Sequence, residues 1–328
     1  MSKAVTIHEV GGPEVLKFET VEVGDPGPGQ ALLTQTAAGL NFIDTYQRTG
    51  LYPLPSLPAV LGMEGAGVVE AVGVGVTEVD VGDRVAYSMA PGAYAERRLV
   101  PAAVLVRLPD GISDDQGAAM MLKGCTAQYL LRRTYRVEAG DTILIHAAAG
   151  GVGLIVCQWA KHLGATVIGT VGSPDKAALA KAHGCDHAID YTTENFAERV
   201  REITNEAGLP VVYDSVGRDT FTASLDCLQP RGLLVSFGQS SGAILPFDPG
   251  VLAQKGSLFL TRPTLGNYIG TREDLDATAT ELFDVVLNGV VRIEVNQTYP
   301  LGEAATAHRD LEARKTTGST VLRTEPTA

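Results

Sequence analysis

The run Ile143-Leu144-Ile145-His146-Ala147-Ala148-Ala149-Gly150-Gly151-Val152-Gly153 constrains this chain more than any other stretch. An apolar, β-branched segment meets a turn of small residues. The residues that follow place Ile155, Trp159 and Leu163 on one helical face. Strand, tight turn and helix in that order put backbone N–H groups and a helix N-terminus where a dinucleotide pyrophosphate can sit. Against the pattern G-x-G-x-x-G, Gly150 fills the second glycine place and Gly153 the third, while Ala148 stands at the first. Small residues keep side chains clear of a pyrophosphate, and Gly153 lets the helix approach the strand. An ordinary βα turn would read much the same, so the assignment leans on the rest of the chain.

That context is supportive. From Asp141 onward, expected strands at 142–146, 166–171, 187–189, 211–215, 233–237 and 257–261 alternate with expected helices at 151–163, 175–183, 195–205 and 220–228. Repeated βα units predict an α/β fold with a doubly wound parallel sheet. The first 120 residues read differently. Short strands at 4–7, 30–37, 66–72, 84–87, 92–100 and 104–107 are punctuated by Gly11-Gly12-Pro13 and Asp25-Pro26-Gly27-Pro28-Gly29, which predicts a compact, barrel-like β domain. Between them, Asn41 to Pro53 forms one or two helical turns carrying Tyr46 and Tyr52. A helix is expected over 113–133, with Asp114 and Asp115 near its start. A last helix, 272–287, leads to 290–295 and to a tail whose end, 318–322, is again β-like. The tail therefore returns to the first domain. The expected boundaries are 1–121 and 263–328 for the catalytic domain and 122–262 for the inserted nucleotide domain.

A chain of 328 residues, 45% apolar and 20% charged, has room for two globular domains with real cores. Its net charge of −12, with no basic run longer than two residues, argues against nucleic acid or an anionic membrane as the main partner. No apolar stretch approaches the ~20 residues of a membrane span, and the N-terminus reads straight into a strand. Cys125, Cys157, Cys185 and Cys227 lie far apart with no C-x-x-C, and are expected to be reduced core thiols of a cytoplasmic protein.

The cofactor is read from the end of the second nucleotide-domain strand, where NAD-binding folds often carry an acid for the ribose hydroxyls. Here that end is Val171-Gly172-Ser173-Pro174-Asp175-Lys176, with no carboxylate at the strand end. Ser173 and Lys176 offer a hydroxyl and an ammonium to a 2′-phosphate, which favours NADPH. The alternative makes Lys176 a solvated lysine and Asp175 the ribose acceptor.

Several further motifs occur in order: His8-Glu9-Val10-Gly11-Gly12-Pro13-Glu14-Val15-Leu16, Asn41-Phe42-Ile43-Asp44, Gly62-Met63-Glu64-Gly65-Ala66-Gly67, Tyr213-Asp214-Ser215-Val216-Gly217, Phe237-Gly238-Gln239-Ser240-Ser241-Gly242 and Thr261-Arg262-Pro263. Together with the glycine turn, they make nearly the whole chain resemble the zinc-independent NADPH:quinone oxidoreductases of the medium-chain dehydrogenase/reductase superfamily, the ζ-crystallin-like group. The resemblance implies a GroES-like catalytic domain, an inserted Rossmann domain, a cleft between them, and NADPH as hydride donor. It implies Asn41 and Tyr46 near the nicotinamide and Thr126 near the cofactor. Gly150, Gly151, Val152 and Gly153 would form the pyrophosphate turn. Ser173, Lys176 and Tyr191 would surround the 2′-phosphate and adenosine ribose. Ser215, Phe237, Gly238, Gln239, Ser240, Arg262, Pro263 and Arg314 would complete the site. It also implies a homodimer, formed through the edge of the Rossmann sheet at 257–261.

Zinc relatives place a His in the Gly-His-Glu run. Met63 stands there in this chain, and a thioether is a poor Zn²⁺ ligand, so no metal is expected. Glu64 reads as a structural carboxylate, and His146 as a core histidine. A quinone suits a metal-free hydride donor, because reduction makes an aromatic product. Tyr46 and Tyr52 are candidate hydrogen-bond donors and stacking rings for it, with Asn41 beside them. Reduction of an activated alkenal or enone double bond is the second enzymatic reading. A non-catalytic NADPH-binding protein, structural or RNA-binding, is the reading from another class.

Overall fold

The computed structural model describes residues 1–324, and the chain divides into two compact units. One comprises residues 1–125, 269–287 and those from 293 onward; the other comprises 126–268 and 288–292. The division falls inside the helix Asp114–Tyr129, which continues as a π-turn over Leu130–Thr134.

The second unit is built on a six-stranded sheet. Its spatial order is His187–Asp190, Thr166–Val171, Thr142–Ile145, Leu209–Asp214, Leu228–Ser236 and Phe259–Thr261, and every pairing is parallel. Counted along the chain this is 3-2-1-4-5-6, the dinucleotide-binding order, which switches direction between the first and fourth strands. Ile143, Leu144, Ile145, Val167, Ile168, Val211 and Val212 are all buried, as a parallel sheet covered on both faces requires. The helix Gly151–His162 lays Leu154, Ile155, Val156, Cys157, Trp159 and Ala160 inward. A Cβ on Gly153 would stand 2.3 Å from the Ala147 carbonyl oxygen, so only glycine lets this helix start so close to its strand. Ser173 caps the next helix, Pro174–Ala182, by accepting the Lys176 N–H, and Pro174 occupies the first helical position.

The first unit has a seven-stranded sheet and a three-stranded one. The seven-stranded sheet is organised by the long strand Gln30–Leu40. That strand pairs antiparallel with Glu64–Val72, with Arg97–Pro101 and, near its end, with Ser319–Arg323. Arg84–Ser88, Val106–Arg107 and Val295–Pro300 complete it. The three-stranded sheet contains Lys17–Val21, Ser2–Ile7 and Ala59–Val60. Val5, Ile7, Leu33, Leu40, Leu61, Val85, Tyr87, Tyr94, Leu105 and Leu322 share one core cluster. The return of the tail at Ser319–Arg323 makes this unit discontinuous in sequence.

One expectation needs correction. The strand expected over 92–100 starts only at Arg97. Gly92 takes a positive φ of 98°, and Tyr94 spends its backbone groups on Leu61 and Val5 rather than on a regular ladder. After the last expected helix the next strand is Val295–Pro300. The tail before residue 318 carries a helix, Ala304–Glu312, which buries Ala304, Ala307 and His308.

Candidate active site

In the second unit the carboxyl ends of the strands gather the residues singled out from the sequence. His146 donates its N–H to the Tyr213 carbonyl and Ala148 donates to that of Thr170, which seats the small-residue turn across three strand ends. Gly150 is the N-cap of Gly151–His162. The first N–H groups of a helix have no partner within it, so those of Gly151, Val152 and Gly153 form an anion-binding end. Two neighbouring loops pack backbone to backbone here: a Cβ on Gly238 would meet the Ser215 carbonyl oxygen at 2.6 Å. Phe237 and Gly238 donate to the Asp214 carbonyl, and Ser240 to that of Ser215. Arg262 reaches back to the carbonyls of Ser236 (2.7 Å) and Gly238 (3.0 Å), tying Pro263 and its own loop to Phe237–Gln239. His146 is a core residue, hydrogen-bonded to Thr170 and Ser224 and held below its ordinary pKa by burial.

A second cluster forms at the end of Thr166–Val171. Its pairing with His187–Asp190 sets Val171 opposite Asp190, so Gly172 meets Tyr191, and Ser173, next in the chain, accepts the Lys176 N–H. A Cβ on Gly172 would lie 2.5 Å from the Tyr191 hydroxyl, so that hydroxyl rests against bare backbone. Asp190, the acid at this end, accepts from the Thr192 N–H (3.0 Å) and hydroxyl (2.7 Å) and serves its own turn. Thr126 is buried in the same unit, near the hydroxyl of Tyr129, whose ring stacks on Tyr268 at 4.3 Å.

In the first unit the helix Phe42–Arg48 carries the candidate catalytic residues. Tyr46 and Tyr52 meet edge to face with ring centroids 5.2 Å apart, and Phe42 lies 6.2 Å from Tyr46. The Tyr52 N–H donates to the Tyr46 carbonyl, fixing the pair. Asn41 begins the helix and is buried; its Nδ2 donates to Glu64 Oε2 at 2.8 Å, and its backbone N–H donates to Asp44 Oδ2, also at 2.8 Å. Arg314, also in this unit, is exposed with φ 58° in the turn after Ala304–Glu312.

Both carboxylates beside Asn41 have no exposed surface. Glu64 also accepts from Lys123 Nζ at 3.1 Å and from the Leu122 N–H at 2.6 Å. Asp44 accepts from the Tyr94 hydroxyl at 2.8 Å, and Tyr94 meets His308 Nε2 at 3.2 Å. Arg48 stands 3.0 Å from His308 Nδ1 and forks onto Glu312. A guanidinium only donates, so His308 Nδ1 accepts, its Nε2–H donates to Tyr94, and Tyr94 donates to Asp44. Burial outweighs these donors and raises Asp44 to about 7. Burial and the Arg48 charge push His308 down to about 3.

This network was only partly visible in the sequence. Asp44 and Glu64 lie inside motifs that drew attention, but Lys123, Tyr94 and His308 come from three other segments with no local signal, and Arg48 closes the helix that carries Asp44. Among the described residues, no three His, Cys, Asp or Glu side chains are grouped as metal ligands. Met63 instead receives a hydrogen bond from Gln47 at 3.4 Å. No described helix is long and apolar enough to cross a membrane.

Comparison with known proteins places this geometry. Residues 27–110 match the alcohol dehydrogenase GroES-like domain, and residues 151–288 match the zinc-binding dehydrogenase family. A quinone oxidoreductase of Pseudomonas aeruginosa is 58% identical over 98% of this chain and 99% of its own length. A 2-haloacrylate reductase of Burkholderia sp is 50% identical with the same coverage of both chains. The crystal structure of Escherichia coli quinone oxidoreductase complexed with NADPH superposes with a TM-score of 0.96 at 50% identity, covering 98% of this chain and 99% of that one.

Asp44 and His308 make stability depend on pH in opposite senses. Asp44, raised from 3.8 to about 7, binds its proton more tightly in the folded state, so its contribution is full below about pH 4 and is lost as pH rises through 7. His308, lowered from 6.5 to about 3, stabilises above pH 6.5 and loses that contribution as pH falls towards 3. The two oppose each other between pH 4 and 6.5. Asp44→Asn removes one, so its urea midpoint should fall more steeply than the wild type's on acidification from pH 6.5 to 4.5. The added slope is at most about 1.4 kcal/mol per pH unit. Parallel pH profiles would contradict a raised Asp44.

Proposed function

The chain belongs to the quinone oxidoreductases of the medium-chain dehydrogenase/reductase superfamily, and on that premise we propose that it reduces quinones at the expense of NADPH. The observation that carries the cofactor is the cluster of Ser173, Lys176 and Tyr191 beside a strand that ends in Val171 rather than an acid. A hydroxyl, an ammonium and a phenol suit a 2′-phosphate, which a carboxylate would repel. The bare backbone of the Gly150–Gly153 turn suits a pyrophosphate. Ser215, Phe237, Gly238, Gln239, Ser240, Arg262 and Pro263 line the adjacent loops. In the first unit, Asn41 and Tyr46 are assigned to the nicotinamide end, and Arg314 joins the cofactor set.

NADPH, when bound, supplies a hydride. The protein's own residues orient and shield. Tyr46 and Tyr52 offer a flat ring surface and hydroxyl donors to a quinone oxygen as charge develops on it. Tyr46 is an orienting donor rather than an essential acid, because a reduced quinone is a stabilised anion that water can protonate. Reduction of an activated carbon–carbon double bond is the second reading, favoured by the 2-haloacrylate reductase among the relatives.

Initial rates with 1,4-benzoquinone and with an alkenal, each driven by NADPH or NADH, test these assignments. Quinone with NADPH should be fastest. Lys176→Ala should raise KM for NADPH about tenfold, the scale of one charge-assisted hydrogen bond, with little change for NADH. Tyr46→Phe should retain measurable turnover. Equal KM changes for the two nucleotides would remove Lys176 from the 2′-phosphate, and complete loss in Tyr46→Phe would make the tyrosine an essential acid.

The edge strand Phe259–Thr261 pairs on one side only within its sheet, and Phe259 is 60% exposed. An open edge with an outward aromatic ring favours pairing with its twin in a second copy. Light scattering should give twice the chain mass, and Phe259→Lys should shift it towards the monomer. A monomeric wild type would refute the pairing. The four cysteines are free and buried, which fits a reducing cytoplasm. Recovery in a membrane or secreted fraction would count against that location.

A further inference from the structure

Two carboxylates without exposed surface flank Asn41, and the hydride transfer proposed above requires neither as a proton donor. Their hydrogen bonds show what they do. Glu64 Oε2 receives Asn41 Nδ2 at 2.8 Å and Lys123 Nζ at 3.1 Å, while Oε1 receives the Leu122 N–H at 2.6 Å. Lys123 is itself buried, so the pair is closed from water. The approach is built into the backbone: a Cβ on Gly39 would stand 2.4 Å from Glu64 Oε2 and 2.1 Å from the Ala118 carbonyl oxygen. Glycine at 39 therefore makes room for this carboxylate.

The second acceptor near Asn41 Nδ2 is the Gly39 carbonyl, at 3.4 Å. With two acceptors on that side, the carboxamide has one orientation. Reversing it would set an amide oxygen against a carboxylate and leave Nδ2 without them, a costly exchange at a buried position. At the other end of the residue, Asp44 holds the Asn41 backbone N–H. The carboxamide oxygen also joins a capping box with the Asp44 backbone N–H, so the side chain is fixed in both position and sense and its oxygen keeps one lone pair for a ligand.

We propose that Glu64, paired with Lys123, is a positioning residue for the reaction: it fixes the Asn41 carboxamide so that Asn41 offers its oxygen, and acts on a bound ligand only as a hydrogen-bond acceptor. Asn41 then aligns an N–H or O–H of the ligand and gives no hydrogen bond to a quinone oxygen. That task falls to the tyrosine hydroxyls. The inference rests on Asn41 standing at the reacting end of the cofactor, as assigned under the proposed function.

A double-mutant cycle tests it with Glu64→Gln, Asn41→Ala and the double variant. The readouts are kcat with benzoquinone, NADPH affinity and stoichiometry by fluorescence titration, and the thermal midpoint. Glu64→Gln should lower kcat about tenfold or more, the scale on which a misplaced group acts at a reacting centre. It should still bind one NADPH per chain with Kd changed by less than about threefold, since most polar contacts to the nucleotide are assigned elsewhere. In the Asn41→Ala background Glu64→Gln should cause no further loss, because it acts through Asn41. Glu64→Asp, which keeps the charge beside Lys123 but draws it back from Asn41, goes through the same cycle in case the amide variant does not fold. An unchanged kcat in both Glu64 variants, or an equal loss in both backgrounds, would overturn the positioning role. An unchanged kcat in Asn41→Ala would instead remove Asn41 from the reacting end, and the inference would fall with that placement.

Discussion

A carboxylate with no exposed surface needs donors, and the first unit is arranged around two such groups, Glu64 with donors on both oxygens and Asp44 with donors on Oδ2 alone, its Oδ1 buried without a hydrogen bond. Glu64 draws on the Leu122 N–H, Lys123 and Asn41, and so ties the start of Glu64–Val72 to the helix Asp114–Tyr129. Asp44 draws on the Asn41 N–H and on Tyr94, and through Tyr94 on His308 and Arg48. That chain reaches from Phe42–Arg48 to Ala304–Glu312, two helices separated by most of the sequence. The discontinuity of the unit follows. Without the returning tail, neither His308 nor the strand Ser319–Arg323 would be there to complete it. Asn41 is where the two anchored groups meet, which is why a single asparagine can be held so firmly.

The second unit obeys a different constraint, the need of a parallel sheet to bury both faces. Strand order 3-2-1-4-5-6 leaves a reversal between Thr142–Ile145 and Leu209–Asp214, and the small-residue turn sits there. Close approach is required of more than one backbone at this end. Gly153 admits the helix, Gly238 admits the loop after Asp214, and Gly172 lies under the Tyr191 hydroxyl. The same scarcity of side chains that lets these segments pack leaves backbone N–H groups at the helix start for an anionic ligand.

How much of this was legible in the sequence depended on whether the signal was local. The six parallel strands and their helices followed from apolar runs and turn residues, and the helix Arg272–Leu287 agrees end to end. The glycine turn and the closeness of Tyr46 and Tyr52 were likewise visible within a dozen residues. Misreadings arose where distant segments decide the conformation. Residues 92–96 have strand-like composition, yet Tyr94 turns inward to Asp44 and uses its backbone on two other segments. Ala304–Glu312 has apolar positions too sparse to announce a buried helix, and His308 is buried because Arg48 and Tyr94 wait for it. The Asp44 and Glu64 network was out of reach for the same reason: its donors come from four chain segments.

A buried lysine shares with Asn41 the carboxylate oxygen of Glu64, and this bears on the chemistry of the proposed site. Lys123 is committed to Glu64 at 3.1 Å and is buried with it, so it balances a carboxylate instead of polarising a substrate carbonyl. Met63 presents a thioether already engaged by Gln47. Under the proposed function, the groups assigned to a ligand are the Asn41 oxygen and the tyrosine hydroxyls, neutral hydrogen-bonding groups that would align an acceptor and steady developing charge without creating electrophilicity. With that assignment, the acceptor brings its own. A quinone does so because reduction restores aromaticity, and a conjugated alkene does so through its carbonyl. A simple ketone does not. A quinone oxidoreductase and a 2-haloacrylate reductase among the relatives are consistent with one scaffold in which the substrate supplies the electrophilicity and the protein supplies the geometry.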